Sequence, residues 1–435
     1  MDVQRLCHVI TKRGTFVMAM NKTVGISIAV VIVLIGAGAV IHSLTGKPSA
    51  TNNVSQGGPA LRGTIPSGIH LTVWSWWGKP EITIEQQLAS QWGKLHGDTV
   101  TVVNQTNPFQ FFSTAARTGK GPDIGFAIPH DNNGVFQQEG LLAPVTALNP
   151  KLYNPYTYEA VTIAGQQWAY PISVQSIALF YNKKLVPTAP TTWAEFEKDA
   201  NEHGFAYAQH NLYYDFAYIG GMGGYIFKDH HGTLDPNDIG LNNPGSVAAF
   251  TLIHSFDWTY HWMNPNTTGN IAVAKFQSGD LGMILDGPWD LSKMQAAKID
   301  VGVAQIPSLP NGQPATPFLG VQTAVVNARG HHIPAAQSLA AYLANAGQMG
   351  YFKANADLPA FLSLQNTPAV QTNVYDKGFI SALKYAIPMP NIPQMNSVWG
   401  AMSIITNIIK GSISPEAGAN QFVKNIKTAI KVQQG

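Results

Sequence analysis

The sequence predicts an α/β fold. Three features lead there: a strand–helix–strand opening over residues 69–103, continued alternation of strand-like and helix-like segments up to a packed C-terminal helix, and no internal period of roughly 20 to 50 residues that would signal a solenoid. In the opening, Ile69, Leu71 and Val73 alternate with His70 and Thr72, the period-two mark of a strand. Trp74 continues that run and is assigned to the core. Ile84, Leu88, Trp92 and Leu95 then recur at helical spacing, Gly97 supplies the stop, and the β-branched run 99–103 makes a second strand. Such a βαβ unit starts a largely parallel sheet. A second helix fits 111–117, closed by Gly119, and 123–128 reads as the next strand. Thr192 and Glu195 stand at capping-box spacing ahead of a helix that ends at Gly204. Phe422, Ile426 and Ile430 line one side of a last helix entered through Ser414 and Pro415, so the C-terminus is packed.

Composition narrows the class. A chain of 435 residues, 45% of them hydrophobic, can bury a full core and divides into two or three compact units. Only 11% of residues are charged, against roughly 25% in an ordinary soluble protein, and 26 basic residues nearly balance 24 acidic ones. A nucleic-acid partner needs a concentrated basic face and is not expected. The lone cysteine, Cys7, allows neither an intramolecular disulfide nor a cysteine metal site. It also stands before an apolar stretch, whereas a lipidated cysteine follows one.

Residues 1–23, with Arg5, Lys12, Arg13 and Lys22, read as a cytoplasmic n-region, and 24–41 as an uncharged export signal or membrane-anchor helix. Translation starting at Met18 or Met20 would leave that reading intact. Ala37-Gly-Ala at 37–39 is a passable cleavage pattern, yet the length suits an uncleaved anchor. Residues 42–67 are rich in Gly, Pro, Ser and Asn and read as a flexible linker. The positive flank places the folded body, from about Gly68, on the extracellular face of the cytoplasmic membrane, anchored by this segment or secreted after its cleavage.

Catalytic signatures are absent from the sequence: it holds no GxSxG elbow, no HExxH, no phosphate-cradling loop and no spaced cysteine cluster. No catalytic residue, metal or cofactor is assigned. The pairs His230-His231 and His331-His332 lie beside turn residues and read as solvated loop histidines. Aromatic residues carry more information, because a pyranose packs its C–H faces on flat rings while its hydroxyls need polar partners. Trp76 and Trp77 crowd the carboxyl end of the first strand, the edge at which an open α/β sheet binds ligands; site and packing roles are equally open for them.

Several strings, in order, then carry a resemblance: Gly-Lys-Gly-Pro-Asp at 119–123, His130-Asp131, Ala-Tyr-Pro-Ile at 169–172, Tyr-Asn-Lys at 181–183, Gly-Pro-Trp at 287–289, Pro-Phe-Leu-Gly-Val at 317–321, and Met-Pro-Asn-Ile-Pro-Gln-Met at 389–395 with Trp399. Together they resemble the maltose/maltodextrin-binding proteins of ABC importers, from about residue 71 to about 430. The resemblance implies a two-lobed periplasmic-binding-protein-like fold of type II, with lobe one at 68–174 and 321–374, lobe two at 175–320 and 375–435, and the ligand in the cleft between. It implies cleft roles for Lys79, Asp131, Tyr213, Trp289, Met389 and Trp399, with Tyr214 an alternative to its neighbour. The chain departs from the family at Gly78, Phe109, Gln110, Ala127, Asn132, Gln175 and Ser403, mostly by losing acids. Asn132 and Gln175 remain hydroxyl partners that do not titrate.

The function implied is an extracellular receptor, a monomer without cofactor, that closes over maltose or a maltodextrin and delivers it to the transmembrane subunits of the importer. Three other readings make different predictions. A same-fold receptor for another oligosaccharide would differ in its polar cleft set; a sensor for a membrane signalling protein would bind alike without restoring uptake; a secreted glycosidase would release reducing ends. The scarcity of acids points to an acidic exterior, with folding and binding little changed down to about pH 3.5, just below ordinary carboxylate values.

Overall fold

The computed structural model describes residues 67–105, 108–145 and 148–434. The expected n-region, the apolar segment, Cys7 and all but the last residue of the linker lie outside the described residues. The body opens with β1 (His70–Ser75), α1 (Glu81–His96), β2 (Thr99–Asn104), α2 (Pro108–Arg117) and β3 (Ile124–Pro129). Then come β4 (Tyr170–Gln175), β5 (Ala178–Asn182), α3 (Trp193–His203), β6 (Phe205–Ala206), α4 (Leu212–Gly221) and α5 (Pro244–Trp258). The remaining elements used below are β7 (Met283–Asp286), β8 (Val301–Ala304), β9 (Phe318–Val326), α6 (Ile333–Ala346), α7 (Gln348–Asn355), β10 (Leu358–Pro359), α8 (Val374–Leu383), β11 (Ile387–Pro388), α9 (Met395–Gly400) and α10 (Pro415–Gln434).

Two sheets organise the body. The larger runs β10–β4–β9–β3–β1–β2, with β11 beside β9, and the smaller runs β8–β5–β7–β6. The opening βαβ unit is parallel as expected, since β1 pairs in parallel with β2 and β3. The sheet as a whole is mixed, which corrects the expectation of a largely parallel one. β9 lies antiparallel between β3 and β4 because the chain enters it from the smaller sheet, not through a helical crossover. The chain leaves the larger sheet at Gln175, builds the smaller one, and returns at Phe318. The larger sheet is therefore assembled from pieces of sequence on either side of the stretch that builds the smaller one. Further along, α8 packs on β8 and β5 of the smaller sheet, and α10 packs on α5.

Local signals explain several elements. Gly97 ends α1 in the left-handed region at φ 73°, where a side chain would be strained. Thr192 and Glu195 make the reciprocal bonds of a capping box at the start of α3. Phe422, Ile426 and Ile430 are buried along α10. Two expectations need correction. In β1, Leu71, Val73 and Ser75 face inward, so the pleat turns Trp74 to the opposite face, where it is half-buried. On α1, the buried stripe is Ile82, Glu85, Ala89, Trp92 and Gly93, while Ile84 and Leu88 are half-buried and Leu95 is exposed. This is the side that packs on β2 and α6, with Gly93 against the Asp98 carbonyl just before β2.

Candidate functional site

β3 ends at Pro129, and a single 3-10 turn, His130–Asn132, carries the chain from there toward Met389 and Trp399. Asp131 is buried in that turn and accepts a hydrogen bond from Trp399 Nε1 at 2.8 Å. Asn132 folds back, its amide donating to the Pro129 carbonyl at 3.1 Å and to Asp131 Oδ1 at 3.4 Å. Burial pushes the Asp131 carboxyl up to about 7, against the pull of the indole and amide donors.

From Trp399 a row of rings leads into the smaller sheet. The half-buried indole of Trp399, on α9, meets Phe318 edge-on at 6.3 Å. Phe318 meets Tyr213 at 6.2 Å, and Tyr213 meets Trp289 at 6.1 Å. Trp289 follows the turn at Gly287 and Pro288, and its ring folds back over Gly287 so closely that no Cβ fits there. Asp286 braces this turn, accepting from Gly287 N–H at 2.8 Å and from the Tyr214 hydroxyl at 3.2 Å. Tyr214 thus supports the Trp289 turn, and Tyr213 is the tyrosine in the ring row.

The polar side of the cluster centres on Gln175, the last residue of β4. With its amide oriented so that the nitrogen faces the carboxyl, Gln175 donates to Asp357 Oδ1 at 2.9 Å and accepts from Gln322 Nε2 at 2.6 Å. A Cβ on the facing Gly320 would lie 3.4 Å from Gln175 Cγ and 3.6 Å from the Tyr213 hydroxyl, so the two side chains share one small space. Tyr213 Oη is buried and has no hydrogen-bond partner among the described residues. Its proton is held well above the ordinary phenol range, first by burial and then by the nearby carboxyls of Asp357 and Asp131. Met389 is buried; its carbonyl oxygen lies 2.9 Å from His130 Nε2, and its N–H donates to Leu319 at 3.2 Å. Gly134, just beyond the turn, sits against the backbone of Asn391 to Pro393, which leaves no room for a side chain.

The structure therefore brings Asp131, Asn132, Gln175, Tyr213, Trp289, Met389 and Trp399 into one region. Trp77 is placed differently: it packs at 5.6 Å on Phe126 and at 4.5 Å on Tyr351, in the core of the larger sheet. Trp76 and Lys79 stand exposed after β1. The side chains of Phe109 and Gln110 lie outside the described residues. Sequence reasoning missed Asp357, Gln322 and Phe318. Phe318 lay inside the Pro-Phe-Leu-Gly-Val string and Gln322 directly after it, so both were within reach; Asp357 belongs to no motif.

Burial of acids has a consequence for stability. It raises Glu85 to about 8 and Asp131, Asp357 and Asp376 each to about 7, while the unfolded chain releases these protons near 4. Between about pH 4 and 7 the folded state holds protons that the unfolded state has lost, so stability falls as pH rises. His130 acts in the opposite sense. Burial pushes it down to about 4, and its unfolded ring gains a proton below about 6.5 that the folded ring refuses. Burial also raises Asp286 to about 8 and Asp257 to about 6 and lowers His210 and His254, so the raised carboxyls outnumber the lowered imidazoles and decide the sign. By differential scanning calorimetry the melting temperature is expected to rise from pH 8 to pH 5; a steady fall over that interval contradicts the assignment.

Comparison with known proteins adds an independent line. A family model described as bacterial extracellular solute-binding protein matches residues 78–350. The maltodextrin-binding protein of Bacillus subtilis strain 168 is 31% identical over 331 residues, 72% of this chain and 78% of that protein. The galactooligosaccharide-binding protein of the same organism is 30% identical over the same shares. Among solved structures, the maltose-maltodextrin binding protein of the thermoacidophilic bacterium Alicyclobacillus acidocaldarius is 55% identical. It superposes with a TM-score of 0.80 over 82% of this chain and 100% of that one.

Proposed function

The chain belongs to the bacterial extracellular solute-binding proteins, and from that premise we propose that it binds maltose and longer maltodextrins between two α/β lobes and hands them to the membrane subunits of an ABC importer. The lobes are 68–174 with 321–374, and 175–320 with 375–435. One observation carries the reading: side chains on elements beside both sheets form a single cluster in which a row of flat rings, with Trp399, Tyr213 and Trp289, adjoins the hydroxyl partners Asp131 and Gln175. A pyranose offers the complementary surfaces, C–H faces for the rings and a rim of hydroxyls for the polar groups. Tyr213 Oη, buried among these side chains, suits a sugar hydroxyl. Met389 fixes the path of the chain toward Trp399, and Asn132 orients Asp131. Lys79 and Trp76, exposed after β1, extend the polar and apolar surface toward longer ligands.

Closure over the sugar expels water and creates the face that the importer recognises. The protein works as a monomeric receptor, held at the outer face of the cytoplasmic membrane by residues 24–41 or released after their cleavage, in an acidic surrounding. A second reading, a galactooligosaccharide receptor on the same fold, is favoured by the relative of that name at 30% identity.

Calorimetric titration of the full chain in a non-glycosidic detergent separates the two. Maltose and maltotriose are expected to give saturable heat and to be recovered intact, with trehalose, sucrose and cellobiose weaker. Heat with galactooligosaccharides alone would move the assignment to the second reading. Silence with every α-1,4-glucan, or the release of glucose, contradicts the proposal.

A further inference from the structure

His130 sits where three pieces of backbone meet. Its side chain is fully buried, with Nε2 2.9 Å from the carbonyl oxygen of Met389 and Nδ1 accepting the Val321 N–H at 3.1 Å. A carbonyl oxygen only accepts, so Nε2 carries the ring proton; an amide N–H only donates, so Nδ1 carries the lone pair. The two contacts select one neutral tautomer and one orientation of the ring. They also reach far along the chain, since Met389 is 259 residues away and Val321 191. Val321 lies on β9, the strand that returns from the smaller sheet, and Met389 begins the segment that leads to Trp399. Asp131, the next residue, is bonded to Trp399.

We propose that His130 is the positioning residue of the sugar site: its neutral imidazole, bridging Met389 and Val321, sets the Asp131 turn and the Trp399 segment at the separation at which carboxyl and indole meet one ligand. The ligand in this statement rests on the function proposed above; the bridge itself does not. Loss of either hydrogen bond frees the turn that carries Asp131 from one of its two anchors. A second ring proton would have to enter at Nδ1, where it faces the Val321 N–H, donor against donor inside a buried site. The helix Asn133–Gln138, β9, α9 and residues 387–394 contain no titratable residue, which leaves Asp131 as the titratable neighbour within the turn. Burial holds the imidazole down to about 4, so the bridge persists through mildly acid conditions and fails below them. That limit lies above the value of about 3.5 expected for binding from composition alone.

Two variants of the full chain divide the bridge. His130→Gln can keep a donor for Met389, and His130→Asn can keep an acceptor for Val321. Nitrogen-15 NMR of the wild-type ring, maltotriose titrations from pH 7 to 3.5 and parallel melting curves test the role. The Nε2–H tautomer is expected at pH 7, with each variant binding at least tenfold more weakly while still folded. Wild type should lose at least a further tenfold between pH 5 and 3.5, a step that both variants lack. The Nδ1–H tautomer, wild-type affinity in both folded variants, or the same acid step in them overturns the proposal. The ring spectrum needs no sugar, so a chain that shows the expected tautomer yet binds no α-glucan contradicts the function reading instead.

Discussion

Trp399→Ala is expected to weaken maltotriose binding at least tenfold, about 1.4 kcal/mol, with the ligand-free melting temperature nearly unchanged. The indole stands half-buried at the end of the ring row, and its N–H reaches Asp131 across 268 residues of sequence. Alanine removes both a flat face for a pyranose and the donor that orients the carboxyl. Since the ring is half-buried, its loss opens little of the core. Trp399→Phe should fall between, because a flat face remains while the donor is gone. Affinity in Trp399→Ala equal to wild type, or lost only along with folding, would remove Trp399 from the site.

Trp92→Ala should do the reverse. This indole is 1% exposed, stacks on His96 at 4.3 Å and donates to Ser338 at 3.3 Å, which ties α1 to α6. Truncation leaves a cavity beneath the larger sheet and removes the tie to Ser338, a loss of about 3 to 5 kcal/mol in unfolding free energy. Denaturant unfolding measures it. The fraction that remains folded should bind maltotriose as wild type does, because Trp92 lies in the core and not among the ring row. A loss under about 1 kcal/mol, or a weakened site in fully folded protein, contradicts that placement.

Much of the chain was legible from neighbours in sequence. The stop at Gly97, the capping box at Thr192 and Glu195, the stripe of α10 and the burial of Trp92 all depend on residues within a few turns of one another. Asp131, Tyr213, Trp289, Met389 and Trp399 were legible only through ordered strings and the resemblance they carry, since nothing in local periodicity marks them. Local pattern misled at two places for different reasons: at Leu95 the helix is rotated about its axis by what packs on it, whereas β1 keeps its expected phase, with Leu71 and Val73 inward, and the pleat turns Trp74 to the other face. Trp77 shows the same limit: it stands beside Trp76 in sequence, but Phe126 and Tyr351 draw it into the core.

The sequence by itself determined the α/β class, the limits of the opening βαβ unit, of the capped helix after Thr192 and of the last helix, the family strings and the scarcity of charge, because these follow from side-chain periodicity, caps and composition. Only the tertiary structure decided which groups meet and in what state. Gln175 meets Asp357 and Gln322, Trp399 meets Asp131, and His130 meets both Met389 and Val321 because the chain leaves the larger sheet, builds the smaller one and returns, which brings distant pieces of sequence together. Burial then changes their chemistry, raising carboxyls and lowering an imidazole, since a charge leaves water only at a cost that a neutral group does not bear.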